Sequence, residues 1–295
     1  MDRRSQDFFA SRLMLLAAIF SSLLVFIITF ALIQSAAPIL TSQPLSKLLL
    51  TSYWHPTTGD FGFYPFIVGT LFVTGLTIVL AVPVCLLTAI YLAEYAPDKI
   101  RGTMKPAIDL LAGIPSVIFG LWGVLFVVPI IRNYVAPLSG TTSTGYSLLA
   151  GGVVLSIMVS PIIISISQEV IGTVPFRLRE ASFALGATKW QTTKHVVLRR
   201  ALPGIVAAVV LAFSRAFGET MAVLMVVGNV AKVPSTLFDP AYPLPALIAN
   251  NYGEMLSIPL YGSALMLAAL ILLAVVALFS VAARIILTKL ESRST

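Results

Sequence analysis

Long stretches without Asp, Glu, Lys or Arg alternate with short polar segments along this chain. Residues 13–33, 66–93, 110–131 and 146–168 contain none of these four types, and each reaches the roughly 20 residues that a membrane-spanning helix requires. Residues 255–283 hold no charge before the final tail. Another run, 201–230, is interrupted only by Arg215 and Glu219. The pattern predicts an all-α, polytopic membrane protein with six spanning helices. Its parts are a tail over 1–12, a first helix over 13–38, a helical core over 66–285 and a tail over 286–295. Ser35-Ala36-Ala37 resembles a signal-cleavage site, but the apolar core before it exceeds the roughly 7–15 residues of a signal peptide, so the first helix is expected to be retained.

Composition agrees with this pattern. The chain is 58% hydrophobic and only 11% charged, with a mean hydropathy of +0.97, whereas soluble domains carry about a quarter charged residues. Membrane lipid is the matching solvent. The single cysteine, Cys85, lies within the second run and leaves no internal disulfide.

The net charge of +7 is distributed by side. Arg3, Arg4 and Arg12 precede the first run, and Lys99, Arg101 and Lys105 follow the second. Arg177, Arg179, Lys189, Lys194, Arg199 and Arg200 occupy the segment after the fourth, while Arg284, Lys289 and Arg293 come last. Only Lys47, Arg132 and Lys232 fall on the other side. The positive-inside rule therefore places both termini of this multi-pass protein in the cytoplasm. With no basic soluble domain, the charge does not describe a nucleic-acid footprint. The opposite loops, 41–64, 133–145 and 231–254, are rich in Pro, Gly, Thr, Tyr and Asn. Tyr53, Trp54, Phe61 and Phe63 there are expected at the membrane interface.

Inside the spans, Pro83, Pro115, Pro129 and Pro161 are expected to interrupt helices, while Gly120, Gly123, Gly151 and Gly152 suit close helix packing. No cluster has metal-ligand spacing, no phosphate-cradling loop occurs, and no catalytic centre or cofactor site is apparent. Asp109 and Glu169 read as helix-end charges, with Lys105 four residues before Asp109. Arg215 is different. It lies twelve residues beyond Pro203, about 18 Å along a helix, where an arginine costs about 2.5–3.5 kcal/mol and should face protein. Glu219, four residues on, would share its face. The pair is either a packing ion pair or part of a translocation pathway, where a guanidinium fork suits phosphate or carboxylate oxygens.

The segment 173–203 is long and structured for a connection. Thr173 is a candidate helix cap and Pro175 belongs to the first turn. Phe176, Ala184 and Leu185 could line one side of a short helix that ends at Gly186, and Thr188 can cap a second helix. Such an amphipathic protrusion lies on a surface or enters a groove on a partner.

Within it, Glu180-Ala181-Ser182-Phe183-Ala184-Leu185-Gly186 resembles the Glu-Ala-Ala signature of ABC-importer inner-membrane permeases, with Ser182 in place of the second alanine. Arg199 stands where that family usually carries a proline. The blocks 63–70, 89–97, 110–123, 180–191 and 215–229 are similar, in order, to the C-type permease branch of the phosphate-specific importers. The resemblance implies a type I importer permease fold that pairs with a second, homologous permease. It also implies two ATP-binding subunits, which would use ATP and Mg while this chain binds no cofactor and hydrolyses nothing. An external phosphate-binding protein would deliver inorganic phosphate. Glu180, Ala181, Ser182 and Gly186 would then serve ATPase coupling, and Arg215 and Glu219 the substrate pathway. Sulfate or molybdate is the competing cargo. A secondary transporter or channel would not need the docking segment, and a scaffold subunit would not need Arg215.

Overall fold

The computed structural model describes residues 3–253, 258 and 260–291. Six helices in it are long and apolar enough to cross a membrane. Helix α1 (Arg3–Ser42) extends the predicted first span at both ends. A short helix α2 (Leu45–Leu50) and a two-stranded hairpin, β1 (Trp54–His55) and β2 (Asp60–Phe61), lead to α3 (Tyr64–Tyr95). The chain continues through α4 (Asp98–Ala112), α5 (Ser116–Leu138) and α6 (Leu148–Gly172). Next come α7 (Phe176–Ala184), α8 (Lys189–Phe217), α9 (Met221–Val226), α10 (Leu244–Asn251) and α11 (Tyr261–Glu291). Residues 255–257 and 259 of the predicted last span, the tail residues 292–295 with Arg293, and residues 1–2 lie outside the described residues.

Two expected spans have different limits. The third begins at Ser116 and not at residue 110, because residues 110–112 complete the amphipathic helix α4. Gly113-Ile114-Pro115 separates the two helices: Pro disfavours helical geometry in the residue before it and is itself accepted at a helix start. The run 201–230 is not one helix. Helix α8 stops at Phe217, and Gly218-Glu219-Thr220 intervenes before α9. Pro83 and Pro161, expected to interrupt, instead sit within continuous helices. Pro129 lies between two wider π turns, Gly123–Val127 and Ile131–Val135, so α5 passes it without breaking.

The central core joins α3, α5, α6, α8 and α9 through buried Val73, Phe119, Val154, Ala212, Val223 and Val226. Glycine permits the closest approach. A Cβ on Gly123 would stand 2.6 Å from Val154 Cγ2 and 2.7 Å from Val226 Cγ1, both on short, stiff side chains. Gly123→Val should therefore destabilise the bundle by about 1–3 kcal/mol through overpacking, read as a lower melting temperature of the purified protein in detergent; an unchanged melting temperature would refute the close packing. Gly120→Ala should be milder, since its nearest neighbour is the mobile Met225 Sδ at 2.6 Å.

A second core lies at the end of the bundle that carries the hairpin. There Phe61, Phe63 and Phe66 are buried, and Trp54 stacks edge-on against all three at centroid distances of 5.4, 5.5 and 4.8 Å. These aromatics hold the hairpin to α3 and α11; of the four residues expected at the interface, Tyr53 alone is fully exposed. At the opposite, basic end, Ala89, Ile90, Ile171, Val197, Ala201 and Ile205 clamp the ends of α3 and α6 to α8.

Candidate functional site

The basic end is built around a helical turn. Thr173 does not cap α7. It closes α6, its N–H donating to Glu169 O at 3.1 Å and its hydroxyl to Val170 O at 2.8 Å. Helix α7 starts only after Pro175, because proline holds Val174 out of helical geometry. At the far end of α7, Gly186 adopts φ +81°. Its N–H donates to Phe183 O at 2.9 Å, and the Ala187 N–H donates to Ser182 O at 3.2 Å. These two bonds form a Schellman cap, whose left-handed position favours glycine. Thr188 then starts α8 with a full capping box: its N–H donates to Gln191 Oε1 at 2.8 Å, and its hydroxyl accepts from the Gln191 N–H at 3.3 Å.

Ser182 is more than a small-for-small replacement. Its hydroxyl lies 2.8 Å from Thr192 Oγ1 and ties α7 to α8 across the turn. Glu180 and Ala181 are exposed beside it. So are Phe176, Phe183, Leu185 and Trp190, with Leu185 89% exposed. The turn thus presents an apolar rim framed by basic residues, fixed by caps on both helices.

Two residues that sequence reasoning did not single out join this turn to the bundle. Arg179 Nη2 donates to Glu94 Oε1 at 2.7 Å, and the side chains are only 12% and 9% exposed. The same guanidinium donates to Ile171 O at 3.1 Å and to Val174 O. Glu94 belongs to the π turn Tyr91–Tyr95 that ends α3. Arg101 donates to Leu92 O at 3.0 Å and to Ala93 O at 3.1 Å there, and Lys189 Nζ lies 4.6 Å from the centre of the Tyr95 ring. The available signal was a lone carboxylate, Glu94, near the close of an apolar run and three residues before Pro97.

Arg215 stands just before the break between α8 and α9 and Glu219 lies within it, so the two do not share one helical face. Arg215 occupies the last turn of α8, where a cation complements the negative end of the helix dipole. Glu219 follows the end of the helix, and its Oε1 accepts from the Ala222 N–H of α9 at 3.3 Å, placing an anion at that helix's positive end. Among the described residues, Arg215 has no hydrogen bond or ion pair from its side chain, and it is exposed on the single chain. Elsewhere, Lys105, Asp109, Ser165, Gln168 and Glu169 line a polar pocket of about 280 Å³ between α4 and α6. Among the described residues no group of three His, Cys, Asp or Glu side chains is placed to hold a metal ion.

Six apolar helices long enough to cross a membrane, a capped and exposed turn at one end and a charged break after the fifth of them describe a multi-pass membrane protein. The chain belongs to the family of binding-protein-dependent transport system inner membrane components, which matches residues 85–294. It is similar to the phosphate transport system permease protein PstC of Xylella fastidiosa (strain 9a5c), at 36% identity over 99% of this chain and 93% of that one. PstC of Mesorhizobium japonicum is 36% identical over 84% of this chain and 80% of its own length. A probable ABC transporter permease protein, YqgH of Bacillus subtilis, is 42% identical over 70% of this chain, which spans 66% of that protein's length.

Among solved structures, a bacterial ABC transporter involved in alginate import matches with a TM-score of 0.64 at 16% identity, over 98% of this chain and 99% of that one. The inward-facing MetNI methionine transporter matches with a TM-score of 0.59 at 24% identity, over 75% of this chain and 93% of that one. These two likenesses establish the fold.

Proposed function

We propose that the chain is the membrane-spanning permease subunit of an ATP-driven importer that carries inorganic phosphate across the bacterial cytoplasmic membrane. The observation that carries the reading is Arg215: a guanidinium within a broken span, exposed on the single chain and without a side-chain partner among the described residues. A charge at that depth needs a polar counterpart, and an oxyanion moving along a pathway between this chain and a second, homologous permease supplies one. The similarity to proteins named PstC supports phosphate as the anion.

In this reading the basic end and both termini face the cytoplasm. The turn at Glu180, Ala181, Ser182 and Gly186 docks its exposed Phe183, Leu185 and Trp190 into a groove on one of two ATP-binding subunits, which use ATP and Mg. The chain itself binds no cofactor and catalyses no hydrolysis. An external binding protein delivers phosphate to the opposite end. ATP binding closes the ATPase pair, the turn moves with it, and the spans rock to alternate access. Arg215 offsets part of the desolvation cost of the anion as it passes. Glu219, held on the start of α9, keeps an anion beside the pathway that limits how tightly phosphate is retained.

The test is uptake of radiolabelled phosphate, sulfate and molybdate by the complete complex in liposomes, with and without ATP and binding protein. Phosphate uptake that requires both is expected. Uptake of sulfate or molybdate in preference to phosphate would reassign the cargo, and uptake without ATP would remove the chain from the ATP-driven class.

A further inference from the structure

The Arg179–Glu94 pair does not belong to the exposed docking rim or to the charged break. It sits where three elements end. Arg179 projects from α7, the helix of the docking turn, and its guanidinium holds the last carbonyls of α6 through Ile171 O, the linker through Val174 O, and the end of α3 through Glu94. Two other ties near this turn each join α7 or α8 to one element: Ser182 to Thr192, and Lys189 to the face of Tyr95. Arg179 alone among these connects α7 to two spanning helices at once.

The receiving end is shaped for such a connection. Over Tyr91–Tyr95, α3 opens into a π turn before Ala96 leaves the helix. Single π turns are local weak points that recur at functional sites. Without external ties this one would fray, since its last carbonyls lack partners within the helix. Arg101 satisfies two of them, and Glu94 carries the charge that Arg179 grips. Behind the turn, Ala89 and Ile90 are buried against Val197, Ala201 and Ile205 of α8. A displacement of the α3 end therefore reaches the helix that bears Arg215.

A surface pair of this kind would carry little, because solvent screens it and the side chains lose entropy on pairing. This pair is about nine-tenths buried on both sides, and removing one partner strands the other's charge in a poorly solvated place. Its contribution is directional. A bidentate-capable guanidinium held by a carboxylate and two carbonyls has a fixed orientation, so α7 cannot pivot without moving the ends of α3 and α6.

Resting on the coupling role proposed for the turn, we infer that Arg179 and Glu94 are the positioning residues through which movement of the docking turn enters the second spanning helix. The experiment uses the complete complex in liposomes and reads phosphate taken up per ATP hydrolysed, normalised to assembled complex. Arg179→Met, Glu94→Gln and the double variant are compared with Gly186→Val. Each single variant should lower the ratio about tenfold, the size of an ordinary coupling free energy between sites. The double variant should be no worse than the more severe single one, since both remove the same link.

A pair that only stabilised the fold would lower the amount of complex and leave the ratio untouched. Should Arg179→Met fail to assemble, Glu94→Gln decides, because it preserves side-chain volume: a parental ratio in that variant overturns the inference. If Gly186→Val lowers the ratio and Glu94→Gln does not, the inference alone falls. If neither lowers it, the coupling reading of the turn falls with it.

Discussion

Arg215→Gln should lower phosphate uptake about 10- to 100-fold in a transporter that still assembles. Glutamine keeps a hydrogen-bond donor and part of the length but removes the charge. Hydrogen bonds to a charged group contribute about 1.5–3 kcal/mol, and each 1.4 kcal/mol is about a factor of ten. Assembly should survive because, among the described residues, the Arg215 side chain makes no hydrogen bond or ion pair within its own chain. The dipole contribution it would lose at the end of α8 is about 0.3–1 kcal/mol. The measurement is initial-rate phosphate uptake per assembled complex. A rate within about twofold of the parent would place Arg215 off the pathway and leave it as a helix-end charge, a role that Gln would disturb only slightly.

The second large effect is expected from Gly186→Val. A Cβ at Gly186 would meet nothing within 4 Å, so crowding contributes nothing; the penalty comes from φ +81°, which a β-branched residue resists. Holding such a residue in the left-handed region costs about 1–3 kcal/mol. The turn relieves that strain by abandoning the Schellman cap, which reorients Leu185 and Trp190 relative to α7. Phosphate moved per ATP should then fall at least about tenfold, in line with a lost coupling free energy of about 1.4 kcal/mol or more. Gly186→Asn is the informative companion, since asparagine tolerates left-handed geometry and should keep most of the parental ratio. Equal ratios in parent, Val and Asn variants would show that the shape of this turn does not matter to transport.

Much of the architecture was legible because hydrophobic runs report burial in lipid directly. Residues 66–93 and 146–168 became Tyr64–Tyr95 and Leu148–Gly172 with shifts of only a few residues. Hydropathy fails where a helix stops inside an apolar run. Leu110, Leu111 and Ala112 are as apolar as the span that follows, yet they finish the amphipathic α4. Likewise α9 is wholly apolar, so nothing in its composition separates it from α8; only Gly218 and the cap at Glu219 mark the break.

The candidate site divides in the same way. Turn chemistry is local, so Gly186 and Thr188 could be read as a stop and a start, whereas Thr173 was misplaced because the restriction imposed by Pro175 reaches back to Val174. Arg179 and Glu94 are 85 residues apart. Their charges looked like one more topological arginine and one anonymous carboxylate, and only the folded chain brings them within 2.7 Å.

Helix α8 runs from the capping box at Thr188 to Phe217 and opens into a π turn at Thr193–Val197, close to the turn at Gly186. Beyond that π turn, Leu198–Phe217 is continuous α-helix, with Arg215 in its last turn. At 1.5 Å per residue, the stretch from Leu198 to Arg215 measures about 26 Å. A tilt of about 10° at the π turn would carry the guanidinium sideways by about 4 Å on a lever of that length. Under the proposed function the helix would work as a mechanical amplifier: a small rotation at the turn would reach Arg215 as a stroke wider than a water molecule.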